Sequence, residues 1–234
     1  MKSEIDLLRL HLEAVWDIRL PPLVQTEVEL LPTTLLPPWQ LCLAELTSGW
    51  QVAIWRSKTS ALNRKRMLQQ AQKALALPEA KKAPPGISRE VALIQTASPT
   101  MDLSTAHQHA RLLTEQDQNL LEAFQPGGLD YYLHLQRRPL IGTIVDGRLL
   151  SLAHSSRRTT EVCELGIDTL PEARRKGYAL AATLVWAQIV ASEGLIPIYS
   201  ALSENEPSLR LAAAAGYRPF ARSVKVESGI ASSL

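Results

Sequence analysis

The residues of this chain best suited to chemistry lie in one run, Ile167-Asp168-Thr169-Leu170-Pro171-Glu172-Ala173-Arg174-Arg175-Lys176-Gly177-Tyr178-Ala179. It passes from an extended apolar segment through a basic, glycine-containing turn into a long helical pattern. The first N–H groups of a helix have no acceptor within it and sit at the positive end of its dipole, so an anion placed there gains hydrogen bonds and charge stabilisation. Arg174, Arg175 and Lys176 bring positive charge to the same spot, and Gly177 and Ala179 are small enough for a diphosphate to approach the backbone. Without further context, a basic triplet ahead of a helix is a solvated surface turn. Two neighbouring stretches supply context. Alternation from Val162 to Thr169 places Val162, Glu164, Gly166 and Asp168 on one face of a strand and Cys163, Leu165, Ile167 and Thr169 on the other. Downstream, Asn205-Glu206-Pro207-Ser208 opens an Ala-rich helix, with Asn205 as a cap that can also offer its amide to a ligand and Pro207 in the first turn, where no N–H is required.

Together these residues resemble the acyl-CoA site of the GCN5-related N-acetyltransferases (GNATs). In that family's pattern Gln or Arg is followed at the third position by Gly and at the fifth by Gly or Ala, which Arg174, Gly177 and Ala179 match. The resemblance covers roughly residues 110–222. It implies an α/β (α+β) GNAT-type acyl-CoA N-acyltransferase fold, a mixed, mainly antiparallel sheet flanked by helices, preceded by a smaller α+β N-terminal region. It further implies acetyl-CoA as cofactor, its pantetheine arm held by the main chain of Ile167 and Thr169 and its pyrophosphate by the turn Arg174, Arg175, Lys176, Gly177, Tyr178 and Ala179. Asn205 and Ser208 are its remaining cofactor contacts. The implied activity is direct transfer of an acetyl group from CoA to a primary amine of a small molecule or protein.

Glu164 is the candidate general base, because it lies on the strand that carries the thioester and faces away from the apolar set. It can equally be a partly exposed strand residue paired with a nearby arginine, and a bulge in its strand would turn the face over. His154 closes a strand that could line the acceptor pocket or be structural. One departure from the pattern stands out: many relatives carry a tyrosine seven residues after the asparagine as proton donor, and position 212 is Ala212. Tyr199 and Tyr217 read more simply as strand aromatics. The alternative function is therefore a CoA-binding regulatory or scaffold protein with weak or no transferase activity.

Composition agrees with this reading. The chain has 234 residues, 46% hydrophobic and 21% charged, enough to bury a substantial core and long for one acetyltransferase domain. A net charge of +2 argues against a dedicated nucleic-acid binder; a contact through the basic stretch Arg64-Lys65-Arg66 is a third, weaker reading. Cys42 and Cys163 lack metal-ligand spacing, so neither a disulfide framework nor a metal site is expected. No apolar run is long enough to span a bilayer, and Met1-Lys2-Ser3-Glu4 opens an amphipathic rather than a signal-type segment, so a cytoplasmic protein is expected. A homodimer is left open.

The pattern along the chain predicts a helix from Ser3 that ends before Pro21-Pro22, a hairpin of Gln40–Glu45 and Trp50–Trp55, and a helix from Ser60 to about Leu77. The Pro- and Lys-rich segment 78–86 reads as a linker, giving an N-terminal region 1–86 and an acetyltransferase domain 87–234. Val91–Thr96 is a short strand; Arg111–Leu113 feeds a helix capped at Thr114 that runs to Phe124. Three antiparallel strands follow, Leu140–Val145, Leu149–His154 and Thr160–Ile167, then a helix Tyr178 to about Ser192, a strand Ile196–Ala201, a helix Pro207–Ala215 and a last strand from Tyr217.

Overall fold

A computed structural model describes residues 2–32, 36–57 and 59–227. Met1, in the expected N-terminal opening, and 228–234, the end of the expected second domain, lie outside the described residues. The chain divides into two compact units, Met1–Ile94 with Ser200–Leu209 and Pro219–Leu234, and Gln95–Tyr199 with Arg210–Arg218. This division differs from the boundary read at residue 86. Gly86 lies within the first unit, whose Gly86 C=O accepts from Glu227 N–H at 2.9 Å, and nearly all of the strand that follows belongs there too.

The first unit opens with α1 (Glu4–Trp16), capped as expected by Ser3, whose hydroxyl accepts from Asp6 N–H, and stopped at Asp17 in the left-handed region. The hairpin of β2 (Trp39–Leu46) and β3 (Gln51–Trp55) and the helix α2 (Ala61–Leu75) also form where the pattern placed them. The strand β1 (Glu27–Glu29), to which the sequence reading assigned no element, runs parallel to β3. With β4 (Ile87–Gln95) and β10 (Tyr217–Glu227) the strand order of the unit is β1-β3-β2-β10-β4. Met67, Ala71, Ala74 and Leu75 of α2 pack on Leu41, Leu43, Trp55, Val224 and Val226. Arg64, of the basic stretch Arg64-Lys65-Arg66, pairs with Glu29 and lies over the Trp55 ring.

The segment 78–86 has no regular structure, yet it is tied down. Buried Arg89 of β4 donates to the carbonyls of Leu77 (2.7 Å), Pro78 (2.9 Å) and Lys81 (2.8 Å). A cation there also complements the carboxyl end of α2. On the neighbouring position Glu90 accepts from Lys225 Nζ at 2.9 Å and stands 3.1 Å from His11 Nε2. Burial alone would raise the Glu90 carboxyl, but the adjacent Lys225 and His11 hold it down at about 2. Lys225 in turn lies 5.1 Å from the Trp16 ring, so one ionic cluster joins α1, β4 and β10.

The second unit has the strand order β9-β8-β7-β6-β5, formed by β5 (Ala110–Leu112), β6 (Ile141–Val145), β7 (Arg148–Arg158), β8 (Val162–Thr169) and β9 (Ile196–Leu202), of which Ile196–Tyr199 lie in this unit. All neighbours are antiparallel except β8 and β9. The expected mixed, mainly antiparallel sheet is present. β7 runs past the His154 end read from sequence, through Arg157 and Arg158, because those residues pair with Glu164 and Cys163. One face of the sheet carries α6 (Tyr178–Ser192) and α3 (Leu103–His109); the other carries α4 (Gln118–Phe124) and α5 (Leu129–Leu133), whose Leu121 and Tyr132 pack on Leu149 and Leu152. The cap at Thr114 forms a reciprocal capping box with Asp117, which Arg111 grips with two hydrogen bonds, holding its carboxyl at about 2. The helix α7 (Glu206–Ala214) precedes β10.

Removing the Glu90 charge strands a buried ammonium. Glu90→Gln is expected to destabilise the protein by about 3–5 kcal/mol in urea denaturation; an unchanged midpoint would contradict the role given to this cluster. Because the folded carboxyl titrates below its unfolded value, the wild-type contribution is complete above about pH 4.3 and lost as pH falls through about 2.

Candidate active site

Gly177 precedes α6 with φ 85°, and Arg175 takes φ 62° two residues earlier. Together they turn the chain sharply enough to aim the start of the helix outward. A Cβ at Gly177 would meet only the Met101 methyl, at 3.5 Å, so the backbone angle rather than crowding within the protein selects glycine here. The first intrahelical bond runs from Ala181 N–H to Gly177 C=O at 3.0 Å, and no side chain caps the helix. The amides of Tyr178, Ala179 and Leu180 are consequently left to an external acceptor. Thr143 of β6 donates to Tyr178 C=O at 3.1 Å and fixes this first turn on the sheet. Arg174, Arg175 and Lys176 are all exposed around it. Beyond its first turn α6 is buried through Ala181, Leu184, Val185, Trp186 and Val190.

The strand leading to this turn has an open edge. The parallel ladder between β8 and β9 covers Val162, Cys163 and Glu164, paired with Ile196, Pro197 and Ile198. Beyond it, among the described residues, Leu165 to Thr169 pair with β7 alone. Leu170 N–H donates to Leu150 C=O at 3.0 Å, and backbone direction alternates along a strand, so the even-numbered residues Gly166 and Asp168 address β7. The peptide groups of Leu165, Ile167 and Thr169 therefore point to the open edge. Ile196 N–H donating to Glu161 C=O at 2.9 Å confirms the same parity on the β9 side.

The face of β8 that bears Glu164, Gly166 and Asp168 keeps its register throughout. The irregularity lies in β7, where Ser156 is the extra residue between Ser155 and Arg157. That bulge turns Ser156 toward Glu164: its hydroxyl donates to Glu164 Oε2 at 3.3 Å and to the Glu164 carbonyl at 3.2 Å. Glu164 is buried, not the partly exposed strand residue of the alternative reading. On the opposite face Cys163 Sγ and Trp186 Nε1 both meet Ser155 Oγ, and the Thr169 hydroxyl pairs with that of Ser151 at 2.8 Å. Burial pushes the Cys163 thiol up to about 11, which keeps it protonated.

His154 stands opposite Gly166 in register, and its imidazole lies directly on the glycine backbone: a Cβ there would come 2.3 Å from the ring Cε1 and 2.4 Å from Nε2. Tyr131 and Tyr132 meet the ring edge-on at 5.6 and 5.3 Å between centroids. Nε2 is 3.7 Å from Asp168 Oδ2, to which Tyr132 also donates at 3.4 Å. Burial, with the Asp168 charge added, raises the Tyr132 phenol and keeps it a donor. Arg137 stacks its guanidinium 4.1 Å over Tyr131. Sequence reasoning did not assign Tyr131, Tyr132 or Asp168 to a site. The tyrosine pair after the Gly127-Gly128 break was a visible signal; the match of His154 to Gly166 was not, since it depends on strand register.

Asn205 and Ser208 lie in the first unit, where Asn205 Oδ1 accepts from Ser208 N–H at 3.2 Å and its carbonyl accepts from Leu209 at 3.1 Å. The capping role expected of Asn205 is thus realised. Ala212 is fully buried, and Tyr199 and Tyr217 pack edge to face at 5.6 Å between centroids within the core, as strand aromatics.

Comparison with known proteins matches residues 140–222 to the model of the family described as GNAT acetyltransferase, starting later than the 110 read from sequence. A GNAT-family acetyltransferase from Colwellia psychrerythraea superposes with a TM-score of 0.52 at 16% identity, over 85% of this chain and 77% of that one. A GCN5-related N-acetyltransferase-like protein from Streptococcus suis aligns over 74% of this chain and 70% of that one, with 14% identity and a TM-score of 0.46. An aminoglycoside N-acetyltransferase in complex with CoA aligns over 47% of this chain and 88% of its own, with 18% identity and a TM-score of 0.39. None of the curated proteins compared matches the chain. The resemblance to the GCN5-related N-acetyltransferase superfamily thus holds in sequence over residues 140–222 and in fold with the Colwellia protein.

Proposed function

We propose that this protein is an acetyl-CoA-dependent N-acetyltransferase that moves an acetyl group directly to a primary amine of a small molecule or protein. The observation that carries the proposal is the pairing of an uncapped α6 amino end, set by Gly177 in the left-handed region, with a β8 edge where Ile167 and Thr169 face no partner strand. Both features suit one ligand: an anionic pyrophosphate joined to an amide-bearing arm.

In this reading Arg174, Arg175 and Lys176 with the amides of Tyr178 and Ala179 hold the pyrophosphate, while the main chain of Ile167 and Thr169 pairs with the arm as a sheet edge pairs with an added strand. Asn205 and Ser208 are assigned to the same cofactor on the resemblance alone. Bound acetyl-CoA supplies an activated acyl thioester. The chain supplies orientation along β8 and a base, Glu164, whose burial beside the bulged Ser156 keeps it at the sheet end of the open edge. A second reading, a CoA binder without efficient transfer, is favoured by Ala212, which leaves that position without a proton donor, and by the seclusion of Tyr217, whose phenol is raised by burial.

Calorimetry with CoA tests the cofactor assignment. Gly177→Glu places bulk and negative charge at the helix start and is expected to weaken binding at least about tenfold, or 1.4 kcal/mol; unaltered affinity would remove the assignment. Thiol release from acetyl-CoA across a panel of primary amines then separates the two readings. Release above the amine-free background supports the transferase, and background release with every amine, despite CoA binding, supports the binder.

A further inference from the structure

The Glu164 carboxylate and the Arg137 guanidinium are anchored on one residue. Ser156, the extra residue of the β7 bulge, donates its hydroxyl to Glu164 Oε2 at 3.3 Å, and its carbonyl accepts from Arg137 Nη1. Arg157 Nη1 donates to the same carbonyl at 2.8 Å, so two guanidinium groups stand side by side there. Two cations on one neutral oxygen repel each other, and an anion brought up beside them offsets that repulsion. The arginines around them are differently placed: Arg111, Arg138 and Arg158 form ion pairs with Asp117, Glu115 and Glu193. Arg137 forms none among the described residues, where its contacts are the Ser156 carbonyl and the face of the Tyr131 ring. It is half-buried, and stacking on an aromatic face holds its planar fork in one orientation while leaving most of the fork's N–H groups for another acceptor. We propose that Arg137 binds an acid group on the acceptor, so that the amine deprotonated by Glu164 belongs to a molecule that carries a carboxylate or phosphate a few bonds away.

The proposal rests on the acyl-transfer reading above and names its substrate class. Because the base is held by the side chain of Ser156 and the guanidinium by its main chain, the groups they address are separated by about the reach of one residue. That is the separation of amine and acid in an amino acid or a short amino phosphate. A guanidinium fork meets two oxygens of either acid with parallel N–H bonds. Tyr131, 43% exposed, forms the wall between the two ends: one face carries Arg137, and its ring meets His154 edge-on beside the half-exposed Asp168. The site thus has carboxylates, Glu164 and Asp168, for the ammonium end and a pair of arginines for the acid end. An amine whose only charge is its ammonium gains nothing from Arg137 and Arg157 and is repelled by them, so the arrangement selects against acceptors without an acid group.

The test uses the full-length protein and matched acceptors: a panel of amino acids against their carboxamides, and O-phosphoethanolamine against ethanolamine. In thiol release from acetyl-CoA, the acid-bearing member of at least one pair is expected to have the higher kcat/KM by about tenfold or more. Preference among the amino acids assigns a carboxylate and preference for O-phosphoethanolamine a phosphate; either upholds the site. Arg137→Gln is expected to remove most of that preference through KM rather than kcat, and Arg137→Lys, which keeps the charge without the fork, to retain part of it. A residue that only braced the fold would lower both members of a pair alike. Neutral amines turned over as well as their acid-bearing partners, or a preference that survives Arg137→Gln, overturns the acid site while leaving acyl transfer intact. If no amine is turned over although CoA binds, the transferase reading fails instead, and the side-chain Nε–H signal of Arg137 in isotope-labelled protein, assigned by Arg137→Gln, decides on the site. A shift that saturates with amino acids or O-phosphoethanolamine but not with the carboxamides or ethanolamine upholds it; no shift with any of them overturns it.

Discussion

The end of the short parallel ladder between β8 and β9 is the constraint on which the second unit turns. Pairing stops at Glu164 and Ile198, and from there β8 has only β7 beside it. Unpaired strand edges are usually blunted by bulges, charges or covering elements, because they invite further pairing. Here the bulge is in β7, on the far side, and the open edge runs straight into the basic turn and the uncapped start of α6. A strand edge and a helix terminus both present backbone donors that the fold itself does not satisfy. Their succession along a few residues of chain is what supports the cofactor site proposed here.

Strand parity divides the labour along β8. Odd-numbered residues send their peptide groups to the open edge, so in the proposed reading ligand recognition there is by main chain and tolerates changes of side chain. Even-numbered residues send their side chains to the face covered by α4 and α5, where Glu164, the Gly166 seat of His154 and Asp168 form one line. The single extra residue Ser156 in β7 supports this arrangement without disturbing it, since it turns a hydroxyl to Glu164 while β8 keeps its register. Had the bulge fallen in β8 between Glu164 and Asp168, the two carboxylates would stand on opposite faces.

Much of the backbone around the proposed cofactor site was legible in the sequence, because its signals are local. A helix start follows from Gly177 and the apolar run after it, and the alternation of Val162 to Thr169 gives the parity of β8. The acceptor side was not legible to the same degree. His154 is informative only once register sets it against Gly166, and Tyr131 and Tyr132 only once α5 lies across the sheet; both are long-range facts. The segment 78–86 was read correctly as irregular but not as anchored, since its restraint comes from Arg89, a buried cation that the sequence offers as an ordinary strand residue. The first unit's ionic cluster was invisible for the same reason: His11, Glu90 and Lys225 are far apart in sequence and meet only in the folded unit.

The central claim is that β8 holds an acyl-CoA by its odd-numbered peptide groups. Amide hydrogen exchange with and without CoA tests it most directly. The amides of Ile167 and Thr169, which face the open edge, should exchange fast in the free protein and slow down when CoA is added, while those of Gly166 and Asp168, already bonded to β7, should be protected in both. Equal exchange of Ile167 and Thr169 with and without saturating CoA would contradict the account.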